Sequence, residues 1–326
     1  MNTEKSISVS SLSTFLNCPR RFFYSHEMRW VPASEADALT FGKIWHAWLE
    51  YYASSVKSYK ETLADYLSKN EVDLTQRLSA DALAMFMAMA LEFESVSTNI
   101  GKIVEAETSF AFRVPTTQWR VDGIIDAIHE SGCPIEYKTT SSTIEQGDFY
   151  WIRLKANLQA IVYAVATEAN NVLYVVARKP RIQRKQVPLL DTDGKKIVTY
   201  ADGKRAFNAN GTPRQTGGEG LTVATREETS EEFVERMRAD LKASCSYAIV
   251  NLDIDHEAKM LAIETLIAGV RQIELLRKRA LKAPRPDIPY IRNCTEWNCK
   301  SCPYQGICLD LNINPLDGIP NGFITK

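Results

Sequence analysis

The spacing of apolar positions changes character near residue 103. Before it, apolar residues recur at helical intervals. Residues 11–24 (SLSTFLNCPRRFFY) place Leu12, Phe15 and Leu16 on one stripe. Ser11 or Ser13 is available as a cap, and Cys18 falls beside Pro19 at or near the helix end. Residues 40–59 predict a second helix and residues 63–93 further ones. The dense run ALAMFMAMALEF within them reads as core filling, because methionine adapts to irregular gaps. From 103 the pattern mixes β-branched, aromatic and charged residues as half-buried strands do. KIVEAETSFAFRV, RVDGIIDAIHE and CPIEYKTT predict three strands, the last two joined by a turn at Glu130, Ser131 and Gly132. Residues 148–168 predict a helix, and NVLYVVARKP a buried strand that stops at a proline. Two amphipathic helices are expected over 227–244 and 257–281, followed by a Pro-rich turn and an irregular tail. The organisation expected is a helical region at 1–100, a core at 101–178, a basic insertion or arm at 179–226, and C-terminal helices with a cysteine segment at 227–326.

Composition narrows the class only slightly. With 326 residues the chain can bury a substantial core. No apolar run approaches the ~18 residues of a membrane-spanning helix. The N-terminal stretch lacks the apolar run of a signal peptide, so a cytoplasmic location without membrane attachment is the expectation. The formal net charge is −1, and any nucleic-acid binding must come from a local patch. Residues 178–214 offer one, with ten Lys/Arg against three Asp. Its alternative reading is a solvated loop, with a small hairpin around Asp202–Gly203. Arg20 and Arg21 beside Phe22, Phe23 and Tyr24 could hold a single strand by stacking and charge, or could simply pack.

Candidate chemistry concentrates in the hairpin. Folding it back places Asp126 roughly across from Glu136, while Glu136 and Lys138, two apart, share a sheet face. Two carboxylates and an ammonium are costly to bury together without pairing or a metal. Converging carboxylates suit Mg²⁺ or Mn²⁺. A lysine beside them can orient water or steady phosphate charge. Asp122 has the parity of Asp126 and is its rival. His46 lies four residues after Gly42 on one helix face, where the glycine would permit close backbone approach. Gln159 and Tyr163 share a helix face, able to bond phosphate or base or to brace Lys138. Walker A, Rossmann and H-E-x-x-H patterns do not occur.

Taken in order, Gly42-x-x-x-His46, Gly123-Ile124-Ile125-Asp126, Glu136-Tyr137-Lys138 and Gln159-x-x-x-Tyr163 resemble the PD-(D/E)XK nuclease superfamily. The likeness is to its RecB-like branch, with Cas4-like and phage exonuclease relatives, and spans about half the chain. The resemblance implies an α/β fold with a central mixed sheet flanked by helices and helical terminal additions. It also implies a metal-dependent DNA exonuclease in recombination, repair or end processing, acting on single strands or free ends. His46, Asp126 and Glu136 would then hold the metal and Lys138 would be catalytic. A Cas4-like end trimmer inside a larger complex is the first alternative, and a non-catalytic DNA-binding scaffold the second. Protein partners or a homo-oligomer are compatible with either.

Seven cysteines, three of them in CKSCPYQGIC, fit metal ligation better than a disulfide framework. Cys299, Cys302 and Cys308 need a fourth ligand, and Cys18 has suitable context. Members of the branch named above hold a [4Fe–4S] cluster with one N-terminal and three C-terminal cysteines, and this chain resembles them. Zinc is the alternative metal, and Cys294 the alternative to Cys299. Cys133 and Cys245 read as core thiols.

Overall fold

Trp119, Val121, Ile125 and Ala127 recur at every second or fourth position and are all buried, so one face of this strand is driven inward. The structure, a computed structural model, describes residues 5–34, 36–310 and 313–326. In chain order its elements are β1 (Lys5–Ser8), α1 (Val9–Asn17), α2 (Pro19–Phe22), β2 (Trp30–Pro32), α3 (Asp37–Ala53), α4 (Tyr59–Arg77), α5 (Ala80–Ser97), β3 (Ile103–Arg113), β4 (Trp119–His129), β5 (Pro134–Thr140), α6 (Phe149–Lys155), α7 (Leu158–Ala166), β6 (Asn171–Arg178), β7 (Gln186–Pro188), β8 (Val198–Tyr200), β9 (Leu221–Val223), β10 (Thr225–Glu227), α8 (Ser230–Ala243), β11 (Tyr247–Asp253), α9 (His256–Ala280), α10 (Glu296–Lys300), α11 (Gln305–Leu309) and β12 (Phe323–Thr325).

The chain divides into two compact units. The first comprises Met1–Asn70, Ser95–Arg178 and Tyr247–Lys326; the second comprises Glu71–Glu94 and Lys179–Ser246. The first unit carries a mixed six-stranded sheet ordered β1-β4-β5-β6-β11, with β3 also on β4. β1 runs parallel to β4 and β5 parallel to β6, while β3–β4, β4–β5 and β6–β11 are antiparallel. Helices flank this sheet, and the α/β architecture that the family resemblance implied is what forms.

Several local expectations are corrected. The 11–24 helix is two pieces: Ser8, not Ser11 or Ser13, caps α1 by accepting from Ser11 N at 3.1 Å. Cys18 is extended between α1 and α2 because Pro19 disfavours a helical residue before it. Phe22, Phe23 and Tyr24 are buried, and Arg20 pairs with the fully buried Asp287, so this strip is packing and not an open stacking surface. The 148–168 helix breaks at Ala156, and Asn157 restarts it by accepting from Gln159 N at 2.9 Å. The tail is not irregular throughout: β12 pairs antiparallel with β2. Cys133 is buried as expected, whereas Cys245 is exposed in a turn at φ +45°.

In the second unit the basic stretch forms short ladders, β10–β7 and β8–β9. The Asp202–Gly203 turn closes with a Thr199–Arg205 bridge. Thr229 and Glu232 form a reciprocal capping box on α8. Part of the positive charge is spent internally, Arg184 on Asp81 and Arg205 on Asp191.

Gly123 has a packing reason. It pairs with Phe110 across β3–β4, and a Cβ at this position would come within 2.7 Å of the Phe110 ring. Gly123→Ala is expected to displace that ring and cost about 1–3 kcal/mol. Urea unfolding should show a smaller loss when the same change is made in a Phe110→Leu background, because the clash is shared by the two positions.

Candidate active site

The site is built where the sheet splits. β3 occupies one edge of β4 along its whole length, so β1 and β5 must share the other edge. β1 stops at the Ser8–Asp122 pair, and β5 joins only at Ala127–Ile135. Residues 123–126 therefore have no strand beside them on this second edge, and the main-chain groups that point there need other partners. Tyr163 supplies one: its hydroxyl donates to the Ile124 carbonyl at 2.5 Å, and Gln159 Nε2 donates to that hydroxyl at 2.7 Å. On the facing strand β5 the Asp126 side chain does the same for Tyr137, its Oδ2 accepting from Tyr137 N at 2.8 Å. The side chain thus replaces a ladder bond between the diverging strands and is fixed in direction.

Three further side chains converge here. His46 on α3 lies with Nδ1 3.4 Å from Asp126 Oδ1, its ring edge-on to Tyr137. Burial opposes its imidazolium, but Asp126 and then Glu136 hold its pKa above the ordinary histidine value. Glu136 is only 2% exposed. One of its oxygens, Oε1, accepts from Lys138 Nζ, and the other, Oε2, is buried with no hydrogen-bond partner. Burial pushes the Glu136 carboxyl well up, against the pull of Lys138 and with the push of Asp126. The ammonium of Lys138 is also opposed by burial, yet Glu136 holds its pKa above the usual lysine value. Among the described residues no three His, Cys, Asp or Glu side chains stand together at metal-holding geometry. His46–Asp126 and Glu136–Lys138 are two contacts side by side. The orphaned Oε2 and the hard-oxygen donors nevertheless fit a divalent cation chemically.

A family model described as the PD-(D/E)XK nuclease superfamily matches residues 6–309. The chain belongs to the PD-(D/E)XK nuclease superfamily. A solved structure described as "Crystal structure of SSO0001" is similar at 15% identity with a TM-score of 0.36, covering 95% of this chain and 88% of that one. No curated protein matches. Among the described residues no helix is long and apolar enough to cross a membrane.

Within this superfamily fold the other candidates fall out unevenly. Asp122 does not join the Asp126 pairings: it stands beside Ser8, lines a groove with Gln159 and Tyr163, and keeps Oδ1 buried without a partner. Gly42 makes no close backbone approach, since a Cβ there would meet nothing within 4 Å. Glu107 was missed by sequence reasoning. It lies in β3 opposite Asp126, between the Ala106–Ala127 and Thr108–Ile125 pairs. The only signal for it was an acidic residue in the middle of a strand.

Cys18, Cys294, Cys299, Cys302 and Cys308 line a single cavity, and all are free thiols. The N- and C-terminal segments that carry them are stitched together by Arg20 N to Ile291 O at 3.1 Å and Asn293 Nδ2 to Asn17 O at 2.8 Å. Thiol-rich lining from both ends of the chain fits a thiolate-held group in donor chemistry.

Tyr163→Phe removes the cap on the Ile124 carbonyl and the acceptor of Gln159. The expected cost is about 1–3 kcal/mol, the usual penalty for a buried polar group left unpaired, measured as a lower urea midpoint at unchanged m-value.

Proposed function

We propose that the protein is a divalent-metal-dependent deoxyribonuclease that hydrolyses phosphodiester bonds in single-stranded DNA or at free DNA ends. In this reading it is an exonuclease of the RecB-like kind, working in recombination, repair or end processing. The observation that carries the reading is the buried, unpartnered Oε2 of Glu136 beside a fixed Asp126 and a charged Lys138. An unpaired buried carboxylate oxygen is expensive unless something cationic takes it.

Asp126, Glu136 and His46 would hold Mg²⁺ or Mn²⁺, which when bound would polarise the phosphate and lower the pKa of water. The chain's own residues do the remaining work. Lys138, charged and 28% exposed, can turn from Glu136 towards the attacking water or a non-bridging phosphate oxygen. Asp126 cannot swing away without breaking its bond to Tyr137 N. Tyr163 and Gln159 keep the strand carrying Asp126 at a fixed height. Basic residues of 178–214 not engaged in internal pairs are the proposed contacts to the DNA backbone. End-labelled single-stranded DNA incubated with Mg²⁺ or Mn²⁺ should release nucleotides or short oligonucleotides. Lys138→Ala and Asp126→Asn should each slow release by roughly 10² or more; wild-type rates in both variants would sink the mechanism.

Cys18, Cys299, Cys302 and Cys308 are proposed to hold a [4Fe–4S] cluster that ties the first and last segments of the fold together, with binding energy adding to folding energy. Anaerobically purified protein should carry about four irons per chain. Cys18→Ala should lose iron and melt at a lower temperature, whereas Cys294→Ala should keep both. Zinc in place of iron would contradict the cluster assignment.

A further inference from the structure

Glu107 adopts φ +49°, the left-handed region that a glutamate enters at a cost of about 1 kcal/mol or more. The conformation sets it opposite Asp126, half-buried, at the point where β4 leaves β5. Asp126 in turn meets His46 Nδ1 at 3.4 Å, and Glu50 lies one turn beyond His46 on α3. Strained backbone therefore carries an acid towards two other acids. Neither the strain nor the repulsion serves folding, since glycine would relieve the first and glutamine the second. Glu136 on β5 is 2% exposed and keeps its Oε2 buried without a partner, which gives those acids a common reason to be gathered.

We infer that Glu107 is a third carboxylate of the proposed cation site, acting beside Asp126 and Glu136. The inference rests on the metal-dependent reading above and adds a residue outside its four motifs.

The test is Mn²⁺ titration of the full chain, followed by electron paramagnetic resonance, together with thermal melting of the metal-free protein. Glu107→Gln and Glu107→Gly should each weaken Mn²⁺ binding by about tenfold or more. Both should melt at or above the wild-type temperature without metal, because each removes like charge and glycine also removes the φ strain. Glu136→Gln serves as the reference for the site itself. If Glu136→Gln weakens Mn²⁺ binding while both Glu107 variants retain wild-type affinity, the role of Glu107 is overturned and the metal-dependent reading survives. If the wild type binds no Mn²⁺, both fall. Lower melting temperature in both Glu107 variants would assign the residue to the fold and also overturn the inference.

Discussion

β4 serves two strands on one edge, and the four residues between them belong to neither. That interruption is the constraint on which the rest of the site depends. β1 leaves β4 at Asp122 and β5 arrives at Ala127. The exposed stretch of main chain must be satisfied from elsewhere. Tyr163 takes the Ile124 carbonyl, and Asp126 turns its own side chain across to Tyr137 N. A strand that continued its ladder would hide these groups, whereas the split leaves a groove lined by Asp122, Gly123, Ile124, Gln159 and Tyr163.

Burial beside the split has an electrostatic consequence. Glu136 is buried on β5, whose partner β6 places Tyr174 directly alongside. Lys138 meets one of the Glu136 oxygens, and the second has no protein partner. Fully paired, such a carboxylate would be a structural ion pair of modest net worth. Half-paired, it is a group held at some cost in a state suited to binding. Perturbed buried carboxylates are where chemistry is expected.

Away from the split, a second set of interactions joins the ends of the chain. Arg20 on α2 reaches the fully buried Asp287 and the Tyr290 carbonyl, and Arg285 adds a further bond to Asp287. Tyr304 donates to the Trp30 carbonyl at 2.6 Å, within a stack that includes Tyr24 and Phe323. The cysteine-lined cavity sits on this seam. Aromatic packing and a buried ion pair already close it, so a bound cluster would reinforce a junction that the side chains have begun.

How much of this was legible in the chain depends on the range of the interaction involved. Alternation named β3, β4 and β5, and the apolar run named β6, because strand burial is a short-period signal. The order of Gly42, His46, Asp126, Glu136, Lys138, Gln159 and Tyr163 along the chain is enough to suggest the superfamily. The helix break at Asn157 and the capping by Ser8 were not evident, since several polar residues could cap and only packing selects one. Pairing β12 with β2 joins residues nearly three hundred positions apart, which no local pattern encodes. Glu107 is the clearest case. Its residue type was visible, but its left-handed backbone and its place opposite Asp126 arise only when β3 and β4 take their register. By itself the sequence determined the fold class and the superfamily, because the ordered motifs that suggest both are local strings of residue types. The tertiary structure alone decided that β4 would split, that Glu136 would keep one oxygen unpaired and that Glu107 would lie opposite Asp126, because each depends on how distant strands share an edge.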